Sequence, residues 1–384
     1  MALVTVMKNN MSLSEDPIYV TKPHLPALER VNPYLEGIWE RGILTNGGPL
    51  HVQLEVELED YLGVPHLQLC NNGTSALIAA LLAADLKGEV ITSPFTFAAT
   101  THAIQLSCLT PVFADIDTQN YGLCPEAVER AITPETTAIL AVHVYGRPSN
   151  VDGLAEVAKR HGLKLLYDAS HAFGCKYKGQ SLLNYGDYST LSFHATKVFN
   201  TFEGGAVVCN TKEDAENIDL IKNFGISGEV DIPQVGFNGK MNEFSAAVGL
   251  VQLGDVSDIT NSRRALSELY DQELTRESAI VIPPEIEDFD GNYSYYPVII
   301  SDSCSVSRDA VMARMNTLNI FPRKYFYPLM SNTTAYKHLP SSAASLLPNA
   351  TKISNNVICL PIYPSLQKHE LVRICDALRS AVSK

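Results

Sequence analysis

The chain has 384 residues, 46% of them hydrophobic, and its 42 acidic residues outnumber 29 basic ones for a net charge of −13. That length allows a large core and suggests two domains, or one large domain with a smaller one appended. The acidic excess, uninterrupted by any Lys/Arg cluster, speaks against nucleic acid, and no apolar run approaches the roughly 18 to 20 residues that span a bilayer.

Residues 1–17 are aperiodic and are expected to form a flexible extension. They lack the basic region, long apolar core and cleavage site of a secretory signal, so a cytoplasmic location is expected. Eight cysteines (Cys70, Cys108, Cys124, Cys175, Cys209, Cys304, Cys359 and Cys375) are scattered without CxxC spacing. This fits reduced thiols better than a disulfide or zinc framework, and no metal is expected.

From Ile18 to Leu25 the chain is apolar but broken by proline, an extended entry. Helical spacing follows over Leu28–Arg41, then a turn at Asn46-Gly47-Gly48-Pro49, then a second helix from His51 to Leu62 that ends at Gly63. Beyond Gly63, short apolar runs alternate with helical stretches. The runs are Leu67–Cys70, Glu89–Thr92, Pro111–Ile116, Ala138–Val144, Leu163–Tyr167, Thr190–Phe193 and Ala206–Cys209. Helices are expected over Thr74–Ala84 and from about Ala98, Pro125 and Val151. Such alternation predicts an α/β domain with a mostly parallel sheet over residues 18–255. Helices at Glu243–Leu253 and Ser262–Leu274 lead into a smaller C-terminal α/β unit, 256–384, with strands at Tyr295–Ile300 and Val357–Leu360 and helices at Arg308–Leu318 and Lys368–Val382.

In parallel sheets ligands gather at the carboxyl ends of strands. Asn71-Asn72-Gly73-Thr74-Ser75-Ala76 joins a strand to a helix and outlines a phosphate seat, although Thr74 could serve there as a simple N-cap. Ser93-Pro94-Phe95-Thr96-Phe97 puts aromatics at the next strand end, where one could stack on a flat ring or merely fill core. Asp168, in Tyr167-Asp168-Ala169-Ser170-His171, closes a buried apolar strand; a carboxylate there needs a strong partner such as a protonated pyridine nitrogen, unless it caps a helix. His171 is equally open to ring contact or plain structural bonding.

One stretch organises the rest: Ser192-Phe193-His194-Ala195-Thr196-Lys197-Val198-Phe199, followed by Gly204-Gly205. A lysine among apolar neighbours loses solvation of its ammonium form, and its neutral amine becomes available for Schiff-base chemistry. The bland alternative is a lysine snorkelling from a strand end.

Together these segments resemble the sugar-nucleotide aminotransferases of the DegT/DnrJ/EryC1/StrS family, pyridoxal-phosphate (PLP) enzymes of the aspartate aminotransferase fold. The matching pieces also include Leu44-Thr45-Asn46-Gly47-Gly48-Pro49, Pro111 to Asp117, Val142-His143-Val144-Tyr145-Gly146 and Gly236-Phe237-Asn238-Gly239-Lys240-Met241-Asn242-Glu243. The resemblance implies that Lys197 holds the cofactor as a Schiff base and Asp168 pairs with its ring nitrogen. It further implies that Phe97 stacks on the ring, with His171 near the 3-hydroxyl, where many members carry glutamine. Gly73, Thr74, Ser75 and Ser192 would hold the phosphate, and Asn238 would reach the phosphate of the partner subunit in a homodimer. The Phe193–Phe199 and Asp168–Gly174 runs look most like the branch acting on dTDP-linked 4-keto-6-deoxyhexoses.

The activity this resemblance implies is movement of an amino group from an amino acid, glutamate by family analogy, through the pyridoxamine (PMP) form to C4 of dTDP-4-keto-6-deoxyglucose. For the sugar nucleotide, Arg323, Lys324 and Tyr327 could meet a diphosphate and base, or form an ordinary surface loop, while His143 and Tyr145 end a strand where they could line the sugar pocket. Arg373 reads as the polar face of the last helix. Two rival readings are a PLP-dependent sugar dehydratase, whose relatives replace the lysine with histidine, and a non-catalytic PLP-fold sensor or scaffold.

Overall fold

The computed structural model describes residues 16–383. The extension expected over residues 1–17 lies, up to residue 15, outside the described residues. Seven strands form the main sheet in the spatial order His66–Cys70, Gly205–Cys209, Tyr188–Ser192, Lys164–Asp168, Thr136–Val142, Glu89–Thr92, Thr110–Phe113. Gly205–Cys209 runs antiparallel to both its neighbours, and every other pairing is parallel.

The sheet is buried on both faces, as the continuous apolar strands require. Successive side chains point to opposite faces: Ile139, Ala141, Leu165 and Tyr167 join one core, Ala138, Leu140 and Leu166 the other. Helices Pro49–Leu62, Val151–His161 and Glu243–Leu253 cover the first face, and Gly73–Ala83 with Lys212–Lys222 the second.

A second, antiparallel sheet pairs Tyr296–Ile300 with Ile280–Val281 and Val357–Leu360. Helices Val256–Leu274, Arg308–Thr317 and Lys368–Val382 pack on it around Tyr270, Val298, Ile358 and Leu378. Ile18 belongs to this core, because Ile18–Tyr19 pairs in parallel with Ile320–Phe321 far along the chain. Several elements have no counterpart in the sequence reading. Helix Lys212–Lys222 is mostly charged and Pro348–Asn356 mostly polar, and the three-stranded sheet of Lys176–Tyr177, Gln180–Ser181 and Phe289–Asp290 uses two-residue strands too short to carry a period. The helix expected over Ser262–Leu274 begins six residues earlier, at Val256. Among the described residues no helix is long and apolar enough to cross a membrane, and all eight cysteines are free.

Candidate active site

The carboxyl ends of Thr136–Val142, Lys164–Asp168 and Tyr188–Ser192 open into a cavity of about 300 Å3, which Lys197, Asp168, His171, Ser192, Gly73, Thr74 and Phe97 line. Residues spread over more than a hundred positions of sequence meet there because adjacent parallel strands all end on one side.

Asp168 is 5% exposed, and its two oxygens are held separately: Thr100 Oγ1 donates to Oδ2 at 2.7 Å and the Ser170 N–H to Oδ1 at 3.1 Å. Thr100 is itself fully buried and bonded to Thr96 Oγ1 at 2.7 Å. This threonine pair, one helical turn apart at the entry of Ala98–Leu106, was missed from sequence. Its signal, two hydroxyls at i and i+4 beside a strand end, is weak without knowing what faces them.

Lys197 keeps some accessible surface because it faces the cavity, but protein surrounds it otherwise. Burial lowers its pKa to about 8, with Asp168 pulling the other way. His171 lies parallel to Phe326, ring centroids 5.9 Å apart, and 4.7 Å from Tyr295. Burial first, and then Lys197, drives its pKa well below the usual value, so it is neutral. The Tyr145 N–H donates to His171 Nδ1 at 3.2 Å, which leaves the proton on Nε2.

At the expected phosphate seat the N-cap is Asn72, not Thr74: Asn72 Oδ1 accepts from the Ser75 N–H at 2.8 Å. Ser75 thereby spends its amide on the cap and does not line the cavity, while Gly73 and Thr74 keep first-turn N–H groups directed out of the helix. Gly73 is required by proximity, since an added Cβ would lie 2.8 Å from Ser192 Cβ.

None of the expected sugar contacts lines this cavity itself. His143 is fully buried, accepts the Ser149 N–H at Nδ1 and stacks on Tyr167 at 4.5 Å; burial takes its pKa down to about 3. It lines no part of the cavity, because the strand turns it into the core. Tyr145 is 4% exposed, with its hydroxyl on the Tyr325 carbonyl, and it supports His171 from behind. Tyr295, Tyr325 and Phe326 take the wall positions instead. Arg323, Lys324 and Tyr327 line an adjoining cavity of about 720 Å3 that shares Thr96, Phe97, Tyr325 and Phe326 with the first. Lys324 is paired with Asp309 at 2.7 Å, and Arg308 and Lys324 both lie over the Tyr327 ring. Asn238 is exposed and outside the cavity, its carbonyl accepting from Asn71 Nδ2 at 3.3 Å. Arg373 donates to the Leu318 carbonyl at 2.7 Å, a structural contact on the last helix.

Residues 28–379 match the profile of the DegT/DnrJ/EryC1/StrS aminotransferase family. The chain belongs to this family. It is 44% identical over 365 residues to a dTDP-4-amino-4,6-dideoxy-D-glucose transaminase of Shigella dysenteriae, covering 95% of this chain and 99% of that one. A GDP-perosamine synthase of Caulobacter vibrioides is 32% identical, with 94% and 97% coverage. Among solved structures, DesI in the presence of its TDP-sugar product superposes with a TM-score of 0.92 at 34% identity, covering 96% of this chain and 94% of that one. These likenesses support the α/β architecture expected of the family and a sugar aminotransferase activity, the enzyme class in which the chain sits.

Proposed function

We propose that this enzyme uses PLP to transfer an amino group from glutamate to C4 of dTDP-4-keto-6-deoxyglucose. The observation that carries the reading is that Lys197 and Asp168 face one cavity at the strand ends, the lysine with a lowered pKa and the carboxylate with both oxygens held. The 44% identity to a dTDP-4-amino-4,6-dideoxy-D-glucose transaminase supports the choice of sugar.

The residues present fit the cofactor. Gly73 leaves beside Ser192 a space that a Cβ would fill, and the adjoining helix N-terminus favours a phosphate. The Phe97 ring, 63% exposed at the cavity, offers a face for stacking. When bound, PLP supplies the electron sink that makes loss of a Cα proton feasible. Asp168 would hold a proton at the pyridine nitrogen, because a carboxylate beside it favours the charged form. His171, whose Nδ1 accepts from Tyr145, would have its Nε2–H free for the ring hydroxyl. Lys197, neutral in good part near pH 8, would take the proton from the amino acid's Cα and deliver it to the cofactor. Ser192, Gly73 and Thr74 would hold the phosphate, and Asn238 would reach the phosphate site of a second copy in a homodimer, a role that suits its exposure. The free thiols suit a cytoplasmic enzyme.

The test is a two-stage assay. Protein loaded with PLP and given glutamate releases 2-oxoglutarate; dTDP-4-keto-6-deoxyglucose added next is converted to the 4-amino sugar nucleotide, with ping-pong kinetics. Lys197→Ala abolishes multiple turnovers. Wild-type protein that leaves the keto sugar unaminated refutes the reading.

A further inference from the structure

The loop that carries Lys197 carries a second charged group into the same cavity. Glu203 lines it together with His194 and Thr196, and neither Glu203 nor His194 has a role in the cofactor binding proposed above. The loop is closed at its base: the Phe193 N–H donates to the Gly204 carbonyl at 2.8 Å, and the Thr201 N–H to the Phe193 carbonyl at 3.0 Å. Thr201 Oγ1 donates to the Glu203 carbonyl at 2.8 Å, and Asn200 Nδ2 ties the loop to the His24 carbonyl at 3.2 Å. The glycine pair then presses this end of the loop against its neighbours, since an added Cβ would lie 2.7 Å from Met241 at Gly204 and 2.7 Å from the Asn72 carbonyl at Gly205. Glu203 is thus fixed in the backbone relative to Lys197, though its side chain is 65% exposed.

His194 lies beside that side chain. Its Nδ1 sits 3.0 Å from Thr196 Oγ1 and accepts the Thr196 N–H at 3.4 Å, so the ring proton resides on Nε2, which faces Glu203 Oε1 at 3.9 Å. That separation is too long for a hydrogen bond, and the carboxylate keeps its acceptor capacity. Asp168, the other carboxylate on the cavity wall, has both oxygens engaged. A carboxylate at the entrance for an anionic sugar nucleotide repels it unless the substrate brings donors. The diphosphate brings none; a pyranose hydroxyl does.

We infer that Glu203 is a specificity-determining residue that accepts a hydrogen bond from a hydroxyl of the sugar, with His194 as its positioning residue. The inference rests on the amino-transfer reading. Because Glu203 and Lys197 share one small cavity, the hydroxyl it reads lies next to the reacting carbon. In a 4-keto-6-deoxyglucose, C5 carries a methyl and C3 a hydroxyl, so the group read is the 3-hydroxyl.

The experiment separates the two half-reactions of the PLP-loaded enzyme. Glu203→Ala raises KM for dTDP-4-keto-6-deoxyglucose about 10- to 100-fold, as loss of a charge-assisted hydrogen bond does. His194→Gln raises it less. Bleaching of the cofactor absorbance by glutamate stays within about twofold of wild type in both variants, which reports an intact Lys197 loop. Wild-type enzyme discriminates against the 3-deoxy analogue by a similar factor, and Glu203→Ala does not. An unchanged sugar KM, a loss confined to the glutamate half-reaction, or equal use of the 3-deoxy analogue by wild type overturns the inference while amino transfer stands. Failure of wild type to aminate the 4-keto sugar overturns the functional reading itself.

Discussion

Thr100 Oγ1 donates to Asp168 Oδ2 at 2.7 Å, and Thr96 Oγ1 stands 2.7 Å behind it, so the carboxylate at the cavity floor is held by a chain of two buried hydroxyls. Since the Thr100 hydroxyl donates to Asp168, its oxygen accepts from Thr96. Thr100→Val keeps the shape and removes the donor, which costs the ionised carboxylate about 1.5–3 kcal/mol of stabilisation. The expected outcome is a protein that folds and takes up PLP but has kcat lowered by about 10-fold or more. Steady-state kinetics beside a cofactor absorbance spectrum check this; wild-type kcat would remove Thr100 from the machinery.

The lowered pKa of Lys197 has a sign that can be read from pH. Burial makes the folded protein disfavour the ammonium form, so the neutral, nucleophilic amine grows as pH rises through about 8 rather than through the ordinary lysine value of roughly 10.4. Uptake of PLP by cofactor-free protein, followed by absorbance, is expected to accelerate between pH 7 and pH 9 with a midpoint about 8. Asp168 opposes the shift, so Asp168→Asn moves the midpoint lower still.

Gly73 tests the phosphate seat. Its substitution by alanine puts a Cβ 2.8 Å from Ser192 Cβ and 3.2 Å from Ser192 Cα, forcing helix and strand apart. Overpacking of this kind costs about 1–3 kcal/mol. Titration with PLP is expected to show affinity reduced by about 10-fold or more, with a smaller fall in thermal stability of the cofactor-free form. Unaltered affinity would mean that the phosphate sits elsewhere.

Glu243 tests a contact that shapes the entry to the fold. It is 1% exposed and accepts from the Leu50 and His51 N–H groups at 3.2 and 2.8 Å, capping helix Pro49–Leu62 from nearly two hundred residues away. Glu243→Ala leaves those donors buried without a partner and is expected to cost about 2 kcal/mol or more, read as a lower urea midpoint. Glu243→Gln, which keeps one acceptor oxygen, is expected to lose less.

The sequence by itself determined the succession of elements in the main sheet and the stretches that bear chemistry. Unbroken apolar strands can be buried only between two layers of helices, and the residues that close such strands, Asp168 and Ser192, must stand at its ligand-binding edge. Lys197, Asp168, His171, Ser192, Gly73, Thr74 and Phe97 were legible on that basis together with the family resemblance, and they do share one cavity.

Only the tertiary structure decided which side chains at those ends face the cavity and which face the core. His143 and Tyr145 follow a strand end just as Asp168 closes one, yet the turn after Val142, with Tyr145 at a φ of 59°, sends both inward and gives their places to Tyr295, Tyr325 and Phe326 from the C-terminal part of the chain. The bonds from Thr100 to Asp168 and from Glu243 to the helix at Pro49 join residues 68 and nearly two hundred positions apart, beyond the reach of local pattern. The Lys197 stretch shows the division most clearly. Its lysine stood out from its neighbours in sequence, whereas the closed loop that brings Glu203 and His194 to the same cavity exists only because Gly204 and Gly205 can lie against Met241 and Asn72.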